Sequence, residues 1–363
     1  MPPRVLILTA SVGEGHDLPA RTLAAQLRAE CSGVEVITED GLAPMGRVVT
    51  AISADAGRVV FFRFKWLWDL GFWVFVRFGP TRRATQSLLT RVGGPGLLRL
   101  IGEVNPDVIV STYPNTMEVL GRLRRAGRIR VPVGSAITDL AAMHYWAPPG
   151  ADFYLITHTE SAEEVRAVAG VNARVFCVHG LTAPEFLVRR PPESARAELA
   201  LPADGKIVLV SGGGWGVGDI EGAVEQALAL PNVSKIVCLC GRNERLRANL
   251  WRRFLSEDRV RVEGFTDTMR DWLAAADVLV HSTGGLTVLE ALMQGCPAVS
   301  YGWGKGHIRL NNAAYRRFGL AAVVSDRGAL GPAITRAMEG PPPEPPPFAE
   351  LPSAAAVILQ EIK

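Results

Sequence analysis

The same opening occurs twice in this chain, about two hundred residues apart: an apolar run, a glycine-bearing turn, then a helical pattern. The first copy is Val5-Leu-Ile-Leu-Thr-Ala, followed by Ser11-Val-Gly-Glu-Gly-His16 and a helical pattern through Leu27. The second is Ile207-Val-Leu-Val-Ser-Gly-Gly-Gly214, followed by a helical stretch from about Ile220 to Leu230. Short runs this apolar suit strands buried on both faces, the condition of a parallel sheet covered by helices. Further strand candidates are Val34–Thr38, Val108–Thr112, Val133–Thr138, Phe153–Thr157, Lys235–Cys240 and Val260–Glu263. Strands alternating with helices imply right-handed crossovers and an α/β fold of parallel sheets.

Each copy of the opening starts its own sheet, which predicts two Rossmann-like domains, residues 1–187 and 188–340. The polar, proline-bearing stretch Val188–Asp204 reads as the linker. Residues 341–363 read as a stiff proline spacer, Gly340-Pro-Pro-Pro-Glu-Pro-Pro-Pro347, and a closing helix within Ala354–Ile362. Ligands on such sheets sit outside the carboxyl ends of the strands. Two facing domains would therefore enclose a cleft between the two glycine loops.

A chain of 363 residues with 48% hydrophobic and 21% charged residues is globular and long enough for two domains. A net charge of +3 is too mild to imply nucleic acid, although an arginine-rich surface favours phosphates or acidic lipid headgroups. The five cysteines are odd in number and mostly flanked by apolar residues, which predicts buried thiols and neither a metal site nor a disulfide framework. Met-Pro-Pro-Arg runs straight into the first strand without a signal peptide, so the expected location is cytoplasmic.

The segment Val278–Ser300 carries the most chemistry. It reads as a buried strand, a Gly284-Gly285 turn, a short helix, then Gly-x-Pro and another strand. A strand feeding a glycine turn and a helix N-terminus aims free backbone N–H groups at a small volume, which suits phosphate. Glu290, one turn into the helix, would then reach ribose hydroxyls. The competing reading is a capping box, Thr287-x-x-Glu290, on an ordinary helix.

Residues 61–78 hold nine aromatics, in a chain with eight Trp, five Tyr and thirteen Phe. Arg58, Arg63, Lys65, Arg77, Arg82 and Arg83 surround them. Charges at Arg63, Lys65 and Asp69 would each cost roughly 2.5–3.5 kcal/mol near a bilayer centre, which disfavours a membrane span. An interfacial segment keeps those charges among headgroups and buries the rings at the acyl boundary. The alternative is an aromatic-rich core helix.

With these pieces placed, the chain resembles glycosyltransferase family 28, whose fold is GT-B, two Rossmann-like domains facing each other across a cleft. Within it the similarity is to the monogalactosyldiacylglycerol synthases and bacterial diacylglycerol glucosyltransferases. The marks, in order, are Gly13-Glu-Gly-His16, Thr138-Asp139 with His144 and Trp146, Ser211-Gly-Gly-Gly214 and Cys240-Gly-Arg-Asn243. They continue with Gly264-Phe-Thr266, Met269-x-x-Trp272, Ala276-Asp277 and the segment through Glu290.

The resemblance implies inverting transfer of a hexose from a UDP-sugar donor to a lipid acceptor of diacylglycerol type. The expected setting is the inner face of the cell membrane, an anionic surface to which the protein binds peripherally. Such a reaction needs a base for the acceptor hydroxyl and positive potential for the departing diphosphate. His16 and Asp139 are the two candidates for the base. No Asp-x-Asp motif is present, and no metal or other cofactor is expected; backbone amides of Ser211, Gly212, Gly213 and Gly214, and of Thr283, Gly284, Gly285, Leu286 and Thr287, would stabilise the diphosphate. Gly13 and Gly15 would line the donor loop, Glu290 would take the ribose, and Phe265 and Thr266 would present backbone to the base. Arg242, Asn243, His307 and Asn311 complete the implied donor site. Phe64, Trp66, Trp68, Trp73, His144 and Trp146 are assigned to membrane or acceptor. One departure stands out: the family's Gly-Gln-Glu-like segment is here Gly306-His307-Ile308-Arg309-Leu310-Asn311, so the donor sugar stays open.

Other readings fit parts of the pattern: a polyprenyl-linked acceptor, a UDP-sugar 2-epimerase on the same fold, or a non-catalytic nucleotide-sugar-binding membrane scaffold. The aromatic island speaks against the epimerase. Retention of His16, Asp139 and Glu290 together speaks against the scaffold.

Overall fold

A computed structural model describes residues 2–10, 14–52, 65–141, 143–282, 285–302, 304, 306–344 and 348–362, with the side chains of Glu14, Lys65 and Trp68 left aside. The chain forms two compact units, residues 1–183 with 348–363, and residues 184–347.

The first unit is built on β1 (Arg4–Thr9), β2 (Glu35–Asp40), β3 (Val108–Ser111), β4 (Val133–Ala136), β5 (Phe153–Ile156) and β6 (Val175–Cys177). Their order is β2-β1-β3-β4-β5-β6, and every neighbouring pair is parallel. Successive β1 side chains point to opposite faces. Val5 and Ile7 pack with Ala20, Leu23, Ala24 and Leu27 of the helix Glu14–Glu30. Leu6 and Leu8 pack on the other side with Leu97, Met117 and Leu120. The central strand is thus buried on both faces, as its apolar run predicts. At β4 the residue must be small: a Cβ on Gly134 would lie 2.1 Å from the Phe153 ring.

The chain end returns to this unit. Ser353 caps the helix Ala354–Gln360 by accepting from the Ala356 N–H at 2.9 Å and donates to Glu30 at 2.7 Å. Ala355, Val357 and Ile358 then join the core beside Leu23 and Leu27.

The second unit holds β7 (Lys206–Ser211), β8 (Val233–Leu239), β9 (Val260–Glu263), β10 (Val278–His281), β11 (Ala298–Tyr301) and β12 (Ala322–Val324). Their order, β9-β8-β7-β10-β11-β12, is the doubly wound arrangement of dinucleotide-binding sheets. The stretch 188–204, read above as a linker, carries the helix Pro192–Glu198 and is tied to this unit. The Arg190 N–H donates to Gln294 at 3.0 Å, and the Arg190 guanidinium pairs with Asp271 and Glu198.

Asp277 is the polar anchor of the second sheet. Its carboxylate accepts from Arg196 at 2.8 Å, Lys206 at 3.0 Å and the Ile207 N–H at 2.8 Å. Removing it strands two cations and a β7 amide, so Asp277→Ala is expected to lower stability by about 3 kcal/mol. Urea unfolding followed by tryptophan fluorescence checks this; an unchanged midpoint would mean water replaces the carboxylate without loss.

Candidate active site

In each sheet the strand order reverses once, between β1 and β3 in the first unit and between β7 and β10 in the second. Loops leaving adjacent strands there diverge to opposite faces and leave a crevice at the carboxyl edge. His16 falls at the first of these points, and Ser211–Gly214 and Glu290 at the second; Asp139, Arg242, Asn243, Phe265, Thr266, His307 and Asn311 follow other strands.

In the first unit, His16 lies in the first turn of the helix that follows β1. Its Nδ1 is 2.9 Å from the Thr112 carbonyl oxygen, just past β3. A carbonyl only accepts, so Nδ1 carries the proton and the neutral ring keeps its lone pair on Nε2. Thr112 returns a bond from its hydroxyl to the His16 carbonyl at 3.1 Å. The imidazole is half-buried between Tyr113, edge-on with centroids 5.0 Å apart, and Trp146 at 5.8 Å. These contacts fix the ring's tautomer and limit its rotation.

Asp139 follows β4 and belongs to the same cluster through Trp146, whose indole N–H donates to its Oδ2 at 2.7 Å. Trp146 is fully buried, so its place is among His16 and Asp139 and not at a membrane surface. His144, two residues earlier, is half-buried and lies near Arg82 and Arg77. Burial and those two cations hold its pKa below the ordinary histidine value. Gly15 has open space around it; Gly13 lies outside the described residues.

In the second unit the glycine loop leaves β7 and packs backbone to backbone against the loop leaving β8. Gly216 sits at φ 60°, and a Cβ there would lie 2.6 Å from the Cys240 carbonyl oxygen. Gly241, at φ 57°, meets the Gly213 and Gly214 carbonyl oxygens at 2.5 Å in the same sense. Only glycine combines these left-handed angles with such close approach. The Ser211 hydroxyl accepts from the Gly213 N–H at 3.2 Å. The Arg242 N–H donates to the Gly214 carbonyl at 2.9 Å.

Asn243 caps the helix Glu244–Arg253 by accepting from the Leu246 N–H at 3.0 Å. Its side chain is a structural cap, whereas Arg242 stacks 3.9 Å over the half-exposed Phe265 ring. Thr266 spends its hydroxyl inside its own loop, accepting from the Trp272 indole at 3.1 Å and from the Thr268 N–H at 3.1 Å. That leaves the backbone of Phe265 and Thr266 as the part able to read a base.

The helix Gly285–Met293 begins four residues after the end of β10. Thr287 is its third residue, so it is not the N-cap, and the capping-box reading fails. Glu290 is 5% exposed, and its carboxyl has no hydrogen-bond partner among the described residues. Desolvation, with the nearby Glu185 adding to it, pushes its pKa up to about 8. A buried acid without a partner at a switch point is a poor structural choice and a good ligand contact. Leu286 is buried, Thr283 and Gly284 lie outside the described residues, and Asn311 is fully buried one turn into the helix His307–Phe318. His307 opens that helix and is half-buried.

The described part of the aromatic segment, from residue 65 on, is not a core helix. Trp66 is 67% exposed and Trp73 56%, with Leu67, Leu70, Phe75 and Phe78 also open, along Lys65–Phe72 and its continuation Trp73–Arg77. Phe64 and the Trp68 side chain lie outside the described residues. No helix among the described residues is long and apolar enough to cross a membrane.

Sequence reasoning missed Thr112, Tyr113 and Glu185. Tyr113-Pro114 after a strand does mark a helix start at the strand end beside β1, but nothing local announces that its neighbour's carbonyl meets His16.

Comparison with known proteins agrees with this geometry. Residues 16–182 match the family model for monogalactosyldiacylglycerol (MGDG) synthase, and residues 220–339 match that for glycosyl transferases group 1. A processive diacylglycerol beta-glucosyltransferase of Bacillus cereus (strain B4264) is 26% identical over 328 residues, 89% of this chain and 82% of the relative. Its counterpart in Staphylococcus epidermidis is 25% identical over 317 residues, 86% of this chain and 78% of the relative. Among solved structures, Acinetobacter baumannii MurG aligns with a TM-score of 0.59 and 14% identity, covering 99% of both chains. Arabidopsis thaliana UGT89C1, crystallised with quercetin, aligns with a TM-score of 0.57 and 14% identity over 100% of both. The expected GT-B fold and the expected resemblance are both borne out.

Proposed function

We propose that this chain, a GT-B glycosyltransferase related to the MGDG synthases and the diacylglycerol glucosyltransferases, moves a hexose from a UDP-sugar to a diacylglycerol-type hydroxyl with inversion. The observation that carries this reading is the His16 ring, whose Nδ1 lies 2.9 Å from the Thr112 carbonyl oxygen, the tautomer in which Nε2 bears the basic lone pair. Nε2 takes the proton of the acceptor hydroxyl as its oxygen attacks the anomeric carbon opposite the nucleotide. The bond to the UDP oxygen breaks as the new glycosidic bond forms, which inverts the centre. Asp139 acts through Trp146, keeping the indole against the imidazole. In the second unit, amides of the helix start at Gly285 would hold the diphosphate, beside the glycine loop whose Gly212 and Gly213 amides are taken by Leu239 and Ser211, and Glu290 would hold the ribose. This donor arrangement needs no metal.

The exposed aromatic helix, continued by Arg77, Arg82 and Arg83, supports docking on an anionic membrane surface. The defining experiment mixes protein, diacylglycerol-bearing vesicles and a panel of UDP- and GDP-sugars, then measures nucleotide release and new glycolipid. Glycolipid from one UDP-hexose is the expected result. Nucleotide release without glycolipid would replace transfer by hydrolysis or epimerisation, and no donor-induced thermal shift would leave only a scaffold. For the membrane surface, the triple variant Trp66→Ser, Trp73→Ser, Phe75→Ser is expected to lose vesicle binding by more than about tenfold, since each ring contributes roughly 1.5–3 kcal/mol when buried. Flotation reads this directly, and full binding by the triple variant would remove the helix from the interface.

A further inference from the structure

In the second sheet β11 runs beside β10, and its last two side chains leave on opposite faces. Both are buried and polar, Ser300 at 1% exposure and Tyr301 at 7%. Buried hydroxyls are normally satisfied, and these two are satisfied by different elements. The Ser300 hydroxyl donates to Asn312 Oδ1 at 2.7 Å, and Asn312 Nδ2 donates to the Gly302 carbonyl at 3.1 Å. One buried amide is thus held twice by the exit of β11. Asn312 stands in the helix His307–Phe318, next to the fully buried Asn311 and within two turns of His307. The same helix meets β10, where the Tyr315 ring lies edge-on to His281 with centroids 5.7 Å apart.

Tyr301 serves the other face. Its hydroxyl donates to Asp219 Oδ2 at 2.8 Å, while Asp219 Oδ1 accepts from the Gly222 N–H at 2.9 Å and caps the helix Ile220–Leu228. Burial, then the bond to Asp219, pushes the phenol up to about 12, so it stays a donor throughout the neutral range. Gly218, directly before Asp219, sits at φ 109°, and a Cβ there would lie 2.2 Å from the Ser282 hydroxyl oxygen. The glycine loop therefore runs from the exit of β7 across Ser282, at the exit of β10, and is fastened at the exit of β11. Ser282 begins the stretch that leads to the helix start at Gly285.

We propose that Ser300 and Tyr301 are positioning residues of the donor site. Through Asn312 the first fixes the helix that carries His307 and Asn311, and through Asp219 the second fixes the glycine loop over Ser282. The end of β11 thereby sets the spacing between the part of the site that faces the sugar and the part that faces the diphosphate. Each hydroxyl acts through another side chain and not on the donor itself. This role rests on the donor-site reading of the second unit and adds which fragment of the donor each contact serves.

The test is calorimetry of the full chain with UDP, UDP-glucose and UDP-galactose, taking for each protein the ratio of the affinity for the tighter sugar nucleotide to that for UDP. Ser300→Ala is expected to leave UDP affinity unchanged and to lower the ratio about fivefold, the scale of one hydrogen bond. Ser300→Thr keeps a hydroxyl and should restore the wild-type ratio. Tyr301→Phe is expected to weaken UDP and the sugar nucleotide alike, about fivefold, with the ratio unchanged. Should Tyr301→Phe fail to fold, Asp219→Ser, which keeps a capping oxygen but falls short of the phenol, reads the same arm. A purely structural role would move the urea midpoint without separating the two ligands. Equal losses for both ligands in both variants, or a wild-type ratio of about one with both sugars, would overturn the proposal. Absence of UDP binding by the wild type would sink the donor-site reading itself, whereas UDP binding indifferent to both substitutions sinks the positioning role alone.

Discussion

His16→Ala is expected to lower the transfer rate by about 10²–10⁴, the usual contribution of a positioned general base, while leaving donor affinity unchanged. Both halves of that outcome follow from place. The imidazole sits in the first unit, held by Thr112, Tyr113 and Trp146, whereas the residues proposed for the nucleotide belong to the second. Loss of a base lowers kcat and kcat/KM together without touching ground-state binding. Asp139→Asn is the companion variant. The amide still accepts from the Trp146 indole, so the ring stays supported, and a fall of only about tenfold is expected, as befits a positioning residue. Steady-state rates with donor affinity measured separately by calorimetry decide between the two. A larger loss in Asp139→Asn than in His16→Ala would transfer the role of base to the carboxylate.

Much of this architecture is legible before folding because it rests on local burial. β1 and β7 announce themselves as apolar runs, since a strand covered on both faces can carry little else. Gly241 is legible within Cys240-Gly-Arg-Asn243, whereas Gly216, which likewise meets backbone that leaves no room for a side chain, lies just past the glycine run read from the sequence. Strand ends are less so: Val133–Thr138 reads as one strand, yet β4 stops at Ala136. Ile137 keeps one bond to Leu155, and the chain then turns to bring Asp139 to Trp146.

What the sequence hides is contact across long separations. His16 and Thr112 are 96 positions apart, and no pattern at either one names the other. Trp146 looks like an interfacial aromatic beside His144, because its burial is set by strands and loops elsewhere. Arg82 and Arg83 read as part of a basic fringe until helix packing brings Arg122 and Arg125 opposite them. The last helix reads as a separate closing element, although Ser353 and Glu30 fasten it to the first unit.

Glu290→Gln should do two opposite things at once: stabilise the empty protein above neutral pH and remove most of its affinity for UDP. The carboxyl is raised from the ordinary 4.5 to about 8 by burial and by Glu185. The folded chain therefore holds this proton more tightly than the unfolded chain does. Its contribution is intact below about pH 4.5 and is lost as pH rises through 8, so the wild type should soften progressively across that window. The loss is on the order of a few kcal/mol by the conversion of about 1.4 kcal/mol per pH unit. Glutamine fills the same space without ionising, which flattens the slope and raises the urea midpoint at about pH 8.5. The same change weakens the acceptor for ribose hydroxyls, and a loss of about tenfold to a hundredfold in UDP affinity is expected from one charge-assisted hydrogen-bonding group. Urea titrations at about pH 5, 7 and 8.5, paired with UDP calorimetry, read both effects. A variant that is stabilised yet binds UDP as tightly as wild type would show Glu290 to be a buried acid with no part in donor binding. A variant that loses both stability and affinity would show it to be a structural residue whose removal unfolds the site. Only stabilisation together with lost affinity fits an acid kept at a cost to the fold because a ligand needs it.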